Sequence, residues 1–369
     1  MVAPLGMRWA TNCDGSDRCP CCDIARAFRR AGEGEVPALA AHVTGAVVDT
    51  HCHLHQSAWR AAATKPPEPV ALALSLVLAV DERCWATVAA FCSHRRSARP
   101  GFGVHPWRAH ELAAGWQERL RGVLRQHREA LVGEIGLCKC AKNLRGPGAK
   151  ARVWPLQVQA FADQLRVAAE LHRPASVHCV KAHGTLLEML QGWDVGALPP
   201  TVALHSFSGS AAQVHQLLKV GGLSRRLFFG FSHTVNVAMG GSPGSAGYEA
   251  LLEAVRAVPE EQLLVESDSD DELTATHATL LAVQLVAEAR GWTPERAAAI
   301  TARNARRFLL DDHDVQLAAD ISARGHGLGR KGREGGGRRG GRSGNGTMRV
   351  RFELTATSGT ACDASISIC

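Results

Sequence analysis

The sequence predicts an α/β chain folded as a (β/α)8 or TIM barrel, with disordered extensions at both ends. Eight short apolar runs recur between Gly45 and Leu310, and segments of helical periodicity separate most of them. Strand and helix alternating in this way build a parallel sheet, and about 250 residues is the usual length of its closed eight-stranded form. A doubly wound open sheet is the competing architecture. No Gly-x-Gly-x-x-Gly turn follows the first run, however, as a dinucleotide-binding sheet would need.

The apolar runs are Val47–Thr50, Ala71–Val80, Gly101–His105, Leu131–Leu137, Pro174–Val180, Thr201–Phe207, Leu227–Phe231 and Leu263–Ser267. Near-continuous apolar character over so few residues is the pattern of strands buried on both faces. Helical spacing follows in Glu82–Arg95, Glu111–Arg128, Leu156–His172, Gly184–Gly192, Ala211–Val220, Leu251–Val258 and Leu273–Arg290. The last helix, Glu295–Leu310, is announced by Thr293-Pro294, a capping residue followed by proline at the first helical position.

Composition bounds the rest. Apolar residues make up 46% and charged residues 21% of 369, enough to bury a real core. No run of about 18 apolar residues is present, and the start carries Asp14, Asp17 and Asp23. The expectation is a soluble cytoplasmic or nuclear protein that is neither secreted nor membrane-bound. Twelve cysteines are too few for a disulfide scaffold and read as mostly reduced thiols. Cys13, Cys19, Cys21 and Cys22 crowd together, but without the paired C-x2-C spacing of common zinc folds.

Three regions follow: an extension over 1–44 expected to be disordered, the barrel over 45–311, and a tail over 312–369. The net charge of +7 is concentrated in the tail, where Ser322–Thr347 holds seven Lys or Arg against Glu334 alone. Eleven of those 26 residues are Gly, too little apolar surface to offset the entropy of ordering. Arg/Gly tracts attract single-stranded nucleic acid through phosphate contacts and guanidinium stacking. A solubilising linker and an incorrectly translated end are the other readings.

In a (β/α)8 barrel the chemistry is built where strands finish. The first run closes with Asp49-Thr50-His51-Cys52-His53, and residues two apart on a strand face the same way, so His51 and His53 can serve one ion. The third run ends at His105, the fourth carries Glu134, the fifth His178, the sixth His205, and Asp268 follows the eighth. A lone histidine in an apolar run is usually a hydrogen-bonded core residue. Five histidines and two carboxylates at corresponding strand ends, without a shared partner, would be a large uncompensated desolvation cost. The set therefore points to a catalytic metal site.

Seven motifs in order carry a resemblance: DTHCHLH (49–55), GVHPW (103–107), GEIGL (133–137), PASVHCVKAHG (174–184), LHSFSGS (204–210), LLVESDS (263–269) and TARNARRFL (301–309). Together they resemble the TatD family of metal-dependent deoxyribonucleases and hydrolases. The resemblance implies a barrel hydrolase with two divalent ions, magnesium or zinc with manganese as an alternative, cleaving phosphodiester bonds of DNA or RNA. It implies that His51, His53 and Asp268 hold one ion, Glu134 bridges, and His178 and His205 hold the second. Asp268 and Glu134 would be the catalytic residues, Asp268 orienting the attacking water or accepting its proton. His105, Ser206, Ser208 and Lys181 would contact substrate. The chain departs from the pattern at Cys138, where Asp is usual, at Val180, where Arg is common, and at His55, where Asp or Asn is common. HCVKAHG is closer to a fungal type than to the bacterial enzymes. Hydrolysis of an amide or ester at the same mouth, and a non-catalytic scaffold for protein partners, are the alternative functions.

Overall fold

Most residues of the eight strands are buried, as expected of a parallel sheet covered by helices. The computed structural model describes residues 47–56 and 72–311. The Cys13–Cys22 group, the extension over 1–44 and the basic tail over 312–369 lie outside the described residues. The strands are β1 (Val48–Cys52), β2 (Leu74–Leu78), β3 (Ala98–Phe102), β4 (Leu131–Cys138), β5 (Ala175–Val180), β6 (Val202–His205), β7 (Leu227–Ser232) and β8 (Leu263–Glu266). They pair in parallel in chain order. β8 returns to β1, where Thr50 Oγ1 donates to Val265 O (3.0 Å) and the Asp268 N–H to His51 O (2.9 Å). This is the expected (β/α)8 barrel.

The helices are α1 (Trp85–Ser93), α2 (Trp116–Gln126), α3 (Ala149–Glu170), α4 (His183–Gln191), α5 (Ala211–Leu217), α6 (His233–Gly240), α7 (Ala246–Ala257), α8 (Glu272–Arg290) and α9 (Pro294–Phe308). Several features differ from the sequence reading, including α2, which starts at Trp116 and not Glu111, and α7, which starts at Ala246 and not Leu251. β3 begins three residues earlier, because its first turn of chain is polar: Arg99 pairs with Asp311 through two 3.0 Å hydrogen bonds. α3 starts at Ala149 and runs through Pro155 instead of starting after it. Pro155 is exposed, so the carbonyl it leaves without a helical donor faces water. α6 has no counterpart in the sequence reading. Its eight residues are too few and too β-branched to show a period, and it is set by the Ser232 side chain accepting from Val235 N.

α9 closes the end of the barrel where the strands begin. Thr293 caps it as expected, accepting from Arg296 N. Asn304 Nδ2 donates to Glu260 O (2.7 Å) and Leu263 O (2.9 Å) at the start of β8, and Thr201 Oγ1 donates to Phe308 O (2.6 Å) just before β6. Ala302, Ala305, Phe308 and Leu309 then pack with Val48, Leu76, Leu131, Phe228 and Leu264 in one apolar cluster. The polar groups are left to the other end. Phe308→Ala removes the largest side chain that α9 buries in this cluster, and is expected to destabilise the chain by about 3–5 kcal/mol in thermal or denaturant unfolding.

Candidate metal centre

Three strands leave the barrel through left-handed residues that are not glycine: Lys181 (φ 53°), Ser206 (φ 41°) and Asp268 (φ 52°). Each such residue costs about 1–2 kcal/mol, so its neighbours must hold it. Ser206 donates from N (2.5 Å) and Oγ (2.8 Å) to Glu266 Oε1. Asp268 is tied through its N–H to His51 O (2.9 Å). A Cβ at Gly230 would collide with the Glu266 carboxylate, so the glycine of β7 makes room for this anchor. A Cβ at Gly136, itself at φ +147°, would strike the His178 carbonyl, and its absence lets β4 and β5 approach beside Glu134.

Glu134 is 3% exposed and lies at the centre of the polar cluster. Its Oε1 is 2.8 Å from His205 Nε2, 2.9 Å from His178 Nδ1 and 3.4 Å from His105 Nε2. Its Oε2 faces His53 Nε2 at 3.4 Å and His51 Nε2 at 3.6 Å. The same two nitrogens face Asp268 Oδ1 at 3.6 Å and 3.8 Å. Ligand atoms thus gather as His51, His53 and Asp268; as His51, Glu134 and His205; and as His105, Glu134 and His178. No hydrogen bond or ion pair joins Ser208 or Lys181 to this cluster among the described residues. The Ser206 hydroxyl is engaged by Glu266.

The outer contacts decide which ring nitrogen is available. His53 Nδ1 lies 2.8 Å from Leu78 O, and a carbonyl only accepts, so Nδ1 carries the proton and Nε2 offers a lone pair to the centre. His105 has the opposite arrangement: Nδ1 accepts from Trp107 N (3.2 Å), leaving Nε2–H as a donor toward Glu134. His105 is therefore built to donate a hydrogen bond and not to ligate. His51 Nδ1 pairs with Ser176 Oγ at 3.1 Å. Asp49 accepts from Ser267 N (3.0 Å) and Oγ (2.6 Å), clamping β1 to β8 behind the histidines.

Electrostatics follow from burial and this crowding. Burial opposes ionisation of Glu134, but His105 and His205 outweigh it and hold the carboxyl well below the usual range. Burial likewise opposes Asp268, yet the neighbouring His53 and His51 imidazoles outweigh it and bring the carboxyl to about 2. Desolvation pushes His105 down to about 4 and, with the nearby His205, lowers His51. His178 goes the other way: burial disfavours its charge, but Cys138 and Glu134 raise it to about 9. His205 is also raised well above its ordinary value by Glu134 and Glu266. Cys138, standing where the sequence pattern has Asp, is one of the groups that raise His178.

His51 Nε2 and His53 Nε2 have no hydrogen-bond partner although both rings are wholly buried. Two orphaned imidazole nitrogens aimed at two ionised carboxylates fit a divalent cation, since unpaired buried acceptors are otherwise rare. Glu266, Asp49 and Ser176 are functional neighbours that the sequence reading did not single out. Their residue types are common, and their partners lie far away in the chain.

The sequence profile described as TatD related DNase matches residues 48–310. The chain belongs to the TatD family. It is 27% identical to the Cut9-interacting protein scn1 of Schizosaccharomyces pombe, over 52% of this chain and 66% of that one. It is 31% identical to the 3'-5' ssDNA/RNA exonuclease TatD of Edwardsiella piscicida, over 54% of this chain and 63% of the relative. The matched region is thus just under two thirds of the length of either protein. The metal-dependent hydrolase TatD of Mycobacterium tuberculosis, whose own activity is uncharacterised, is 30% identical over 71% of this chain and 97% of its own. Among solved structures, the TatD homolog YJJV of Escherichia coli shares the fold, with a TM-score of 0.54 at 20% identity, covering 72% of this chain and 98% of that one.

The raised imidazoles give this TatD centre a pH dependence. His178, at about 9, and His205 hold protons at neutral pH in the metal-free chain, and those protons must leave when the nitrogens bind a cation. Metal affinity should therefore climb as pH rises, by about tenfold per pH unit for each proton displaced, and the His178 contribution should level off above about 9. Competition titration against a chelating dye measures this directly, and an affinity flat with pH would contradict it.

Proposed function

We propose that this chain is a divalent-metal-dependent nuclease hydrolysing phosphodiester bonds of DNA and RNA, acting on single strands from the 3′ end. The observation that carries the reading is the buried Glu134, with five imidazoles and Asp268 gathered round it and the Nε2 atoms of His51 and His53 among the nitrogens left without hydrogen-bond partners. The relatives named as 3'-5' ssDNA/RNA exonucleases support the substrate. His51, His53 and Asp268 would hold one cation, Glu134 would bridge, and His178 and His205 would hold the second. Magnesium, manganese and zinc all suit carboxylate and imidazole donors. Such ions, when bound, supply the acidity that makes water a nucleophile at neutral pH and offset charge on the leaving oxygen.

The side chains do the remaining work. Asp268 is ionised at neutral pH and stands at the end of β8, where it can orient water and accept its proton. His105, neutral and with Nε2–H directed inward, donates to a phosphate oxygen. Ser208 and Lys181, outside the cluster, are assigned contacts to the substrate strand, while Ser206 holds the turn through Glu266. The hydrolase domain is taken as 45–311, with 1–44 and 312–369 as extensions. A cytoplasmic or nuclear location accords with a nucleic-acid substrate, and no described helix is long and apolar enough to cross a membrane.

A scaffold function is favoured by one observation, that the fission-yeast relative is named for an interacting protein. The deciding experiment is hydrolysis of end-labelled single- and double-stranded DNA and RNA by metal-stripped protein re-supplied with magnesium, manganese or zinc, beside Glu134→Ala. Metal-restored cleavage is expected, with Glu134→Ala slower by at least about a thousandfold, the scale of removing one transition-state stabiliser from a desolvated site. Bound metal without cleavage would move the substrate to an amide or ester, and no bound metal would favour the scaffold.

The Arg/Gly tail should add salt-sensitive attraction to the strand. Deleting 312–369 is expected to raise KM severalfold at physiological salt and leave kcat unchanged. A fall in kcat alone would rule out this role.

A further inference from the structure

Charge is distributed unevenly around the mouth of the barrel. After β8, Glu266–Glu272 holds five carboxylates in seven residues and no cation; Glu266 is buried on Ser206 and Glu272 pairs with Arg95 (2.9 Å), so Asp268, Asp270 and Asp271 carry the acidity of this side. After β2 and β3 the charges cancel: Arg83 pairs with Asp81 (2.5 Å) and Glu111 (3.4 Å), and Arg108 with Glu111 (3.0 Å) and Asp81 (3.8 Å). After β4 the balance reverses. From Ile135 to Ala162 there are five Lys or Arg and no Asp or Glu.

Two cations of this sector, Lys139 and Arg145, join Lys181, which follows β5. Lys139, Arg145 and Lys181 are exposed, and none makes an ion pair among the described residues. The Lys139 N–H donates to Val180 O (3.0 Å), so Lys139 and Lys181 leave adjacent strands side by side. Lys139 Nζ sits 5.3 Å from the Trp154 ring centre, an attraction that steadies the ammonium at the surface. Arg145 and Lys181 both act on the Cys140 thiol, which places their charges around one spot. Lys181 lies three residues beyond His178, just past the end of β5.

We propose that Lys139, Arg145 and Lys181 form the track for the phosphates next to the bond being cut, so that a single strand enters over β4 and β5 and is turned from the acidic β8 rim. The proposal rests on the nuclease reading and adds to it the path of the strand. Exposed cations without ion-pair partners gain most from a polyanion, since they give up no existing pair and release the strand's condensed counterions. The acidic arc opposite penalises the reverse path, so the site is electrostatically one-sided.

The test is fluorescence anisotropy of a labelled single-stranded oligodeoxynucleotide with full-length, metal-stripped protein across a salt series. Wild type is compared with Lys139→Gln/Arg145→Gln/Lys181→Gln and with a control removing three exposed cations of α9, Arg296→Gln/Arg303→Gln/Arg306→Gln. The track variant should bind at least about tenfold more weakly, with a salt slope shallower by about two, near 0.7 for each phosphate that is no longer neutralised. The control should bind like wild type. Binding and slope equal to wild type, or an equal weakening in the control, would overturn the proposal. Weakened binding in the track variant beside a wild type that cleaves no phosphodiester with any metal would support the track and sink the nuclease reading alone.

Discussion

Everything at the mouth of this barrel is arranged around one buried carboxylate. Glu134 has no solvent to stabilise its charge, and His178 and His205 lie within 3 Å of one of its oxygens. Taken alone, each of these groups would be neutralised by burial. Together they fix one another's state: the carboxylate is favoured in its ionised form, His178 and His205 are pushed toward the charged form, and the Nε2 atoms of His51 and His53 are left without hydrogen-bond partners. A cation fits such a place because it would replace the protons and satisfy the bare nitrogens at once.

That arrangement depends on close approaches that are not themselves polar. Glu134 reaches the cluster because Gly136 lets β4 run against the backbone of β5, and Glu266 reaches Ser206 and His205 because Gly230 leaves it room. The left-handed residues after β5, β6 and β8 turn the chain outward just past the histidines and Asp268. At the opposite end α9 packs Phe308 into one apolar cluster with residues of β1, β2, β4, β6, β7 and β8.

The charge pattern adds direction to this chemistry. The acids that end β8 favour cations at the centre, while the β4 and β5 loops present cations without ion-pair partners to solvent. Between them the β2 and β3 loops are neutralised by their own ion pairs. A polyanionic strand, bound as proposed, would meet attraction on the β4 and β5 side of the mouth.

The sequence by itself determined the barrel, the order of its strands and the identity of the polar residues that end them. Apolar run length, helical period and the Thr293-Pro294 cap are local properties, and local properties survive without coordinates. It misjudged the start of β3 and of α3 and missed α6, where a polar strand start, an exposed proline and a short β-branched helix hide the period. Only the tertiary structure decided how the site residues divide their labour. His53 and His105 are alike in sequence, yet a Leu78 carbonyl makes one a lone-pair donor to the centre and a Trp107 N–H makes the other a hydrogen-bond donor. Ser206 was legible as a site residue, but its commitment to Glu266 was not. Proton position and hydrogen-bond partner are set by groups brought from other strands, and no spacing along one chain encodes that meeting.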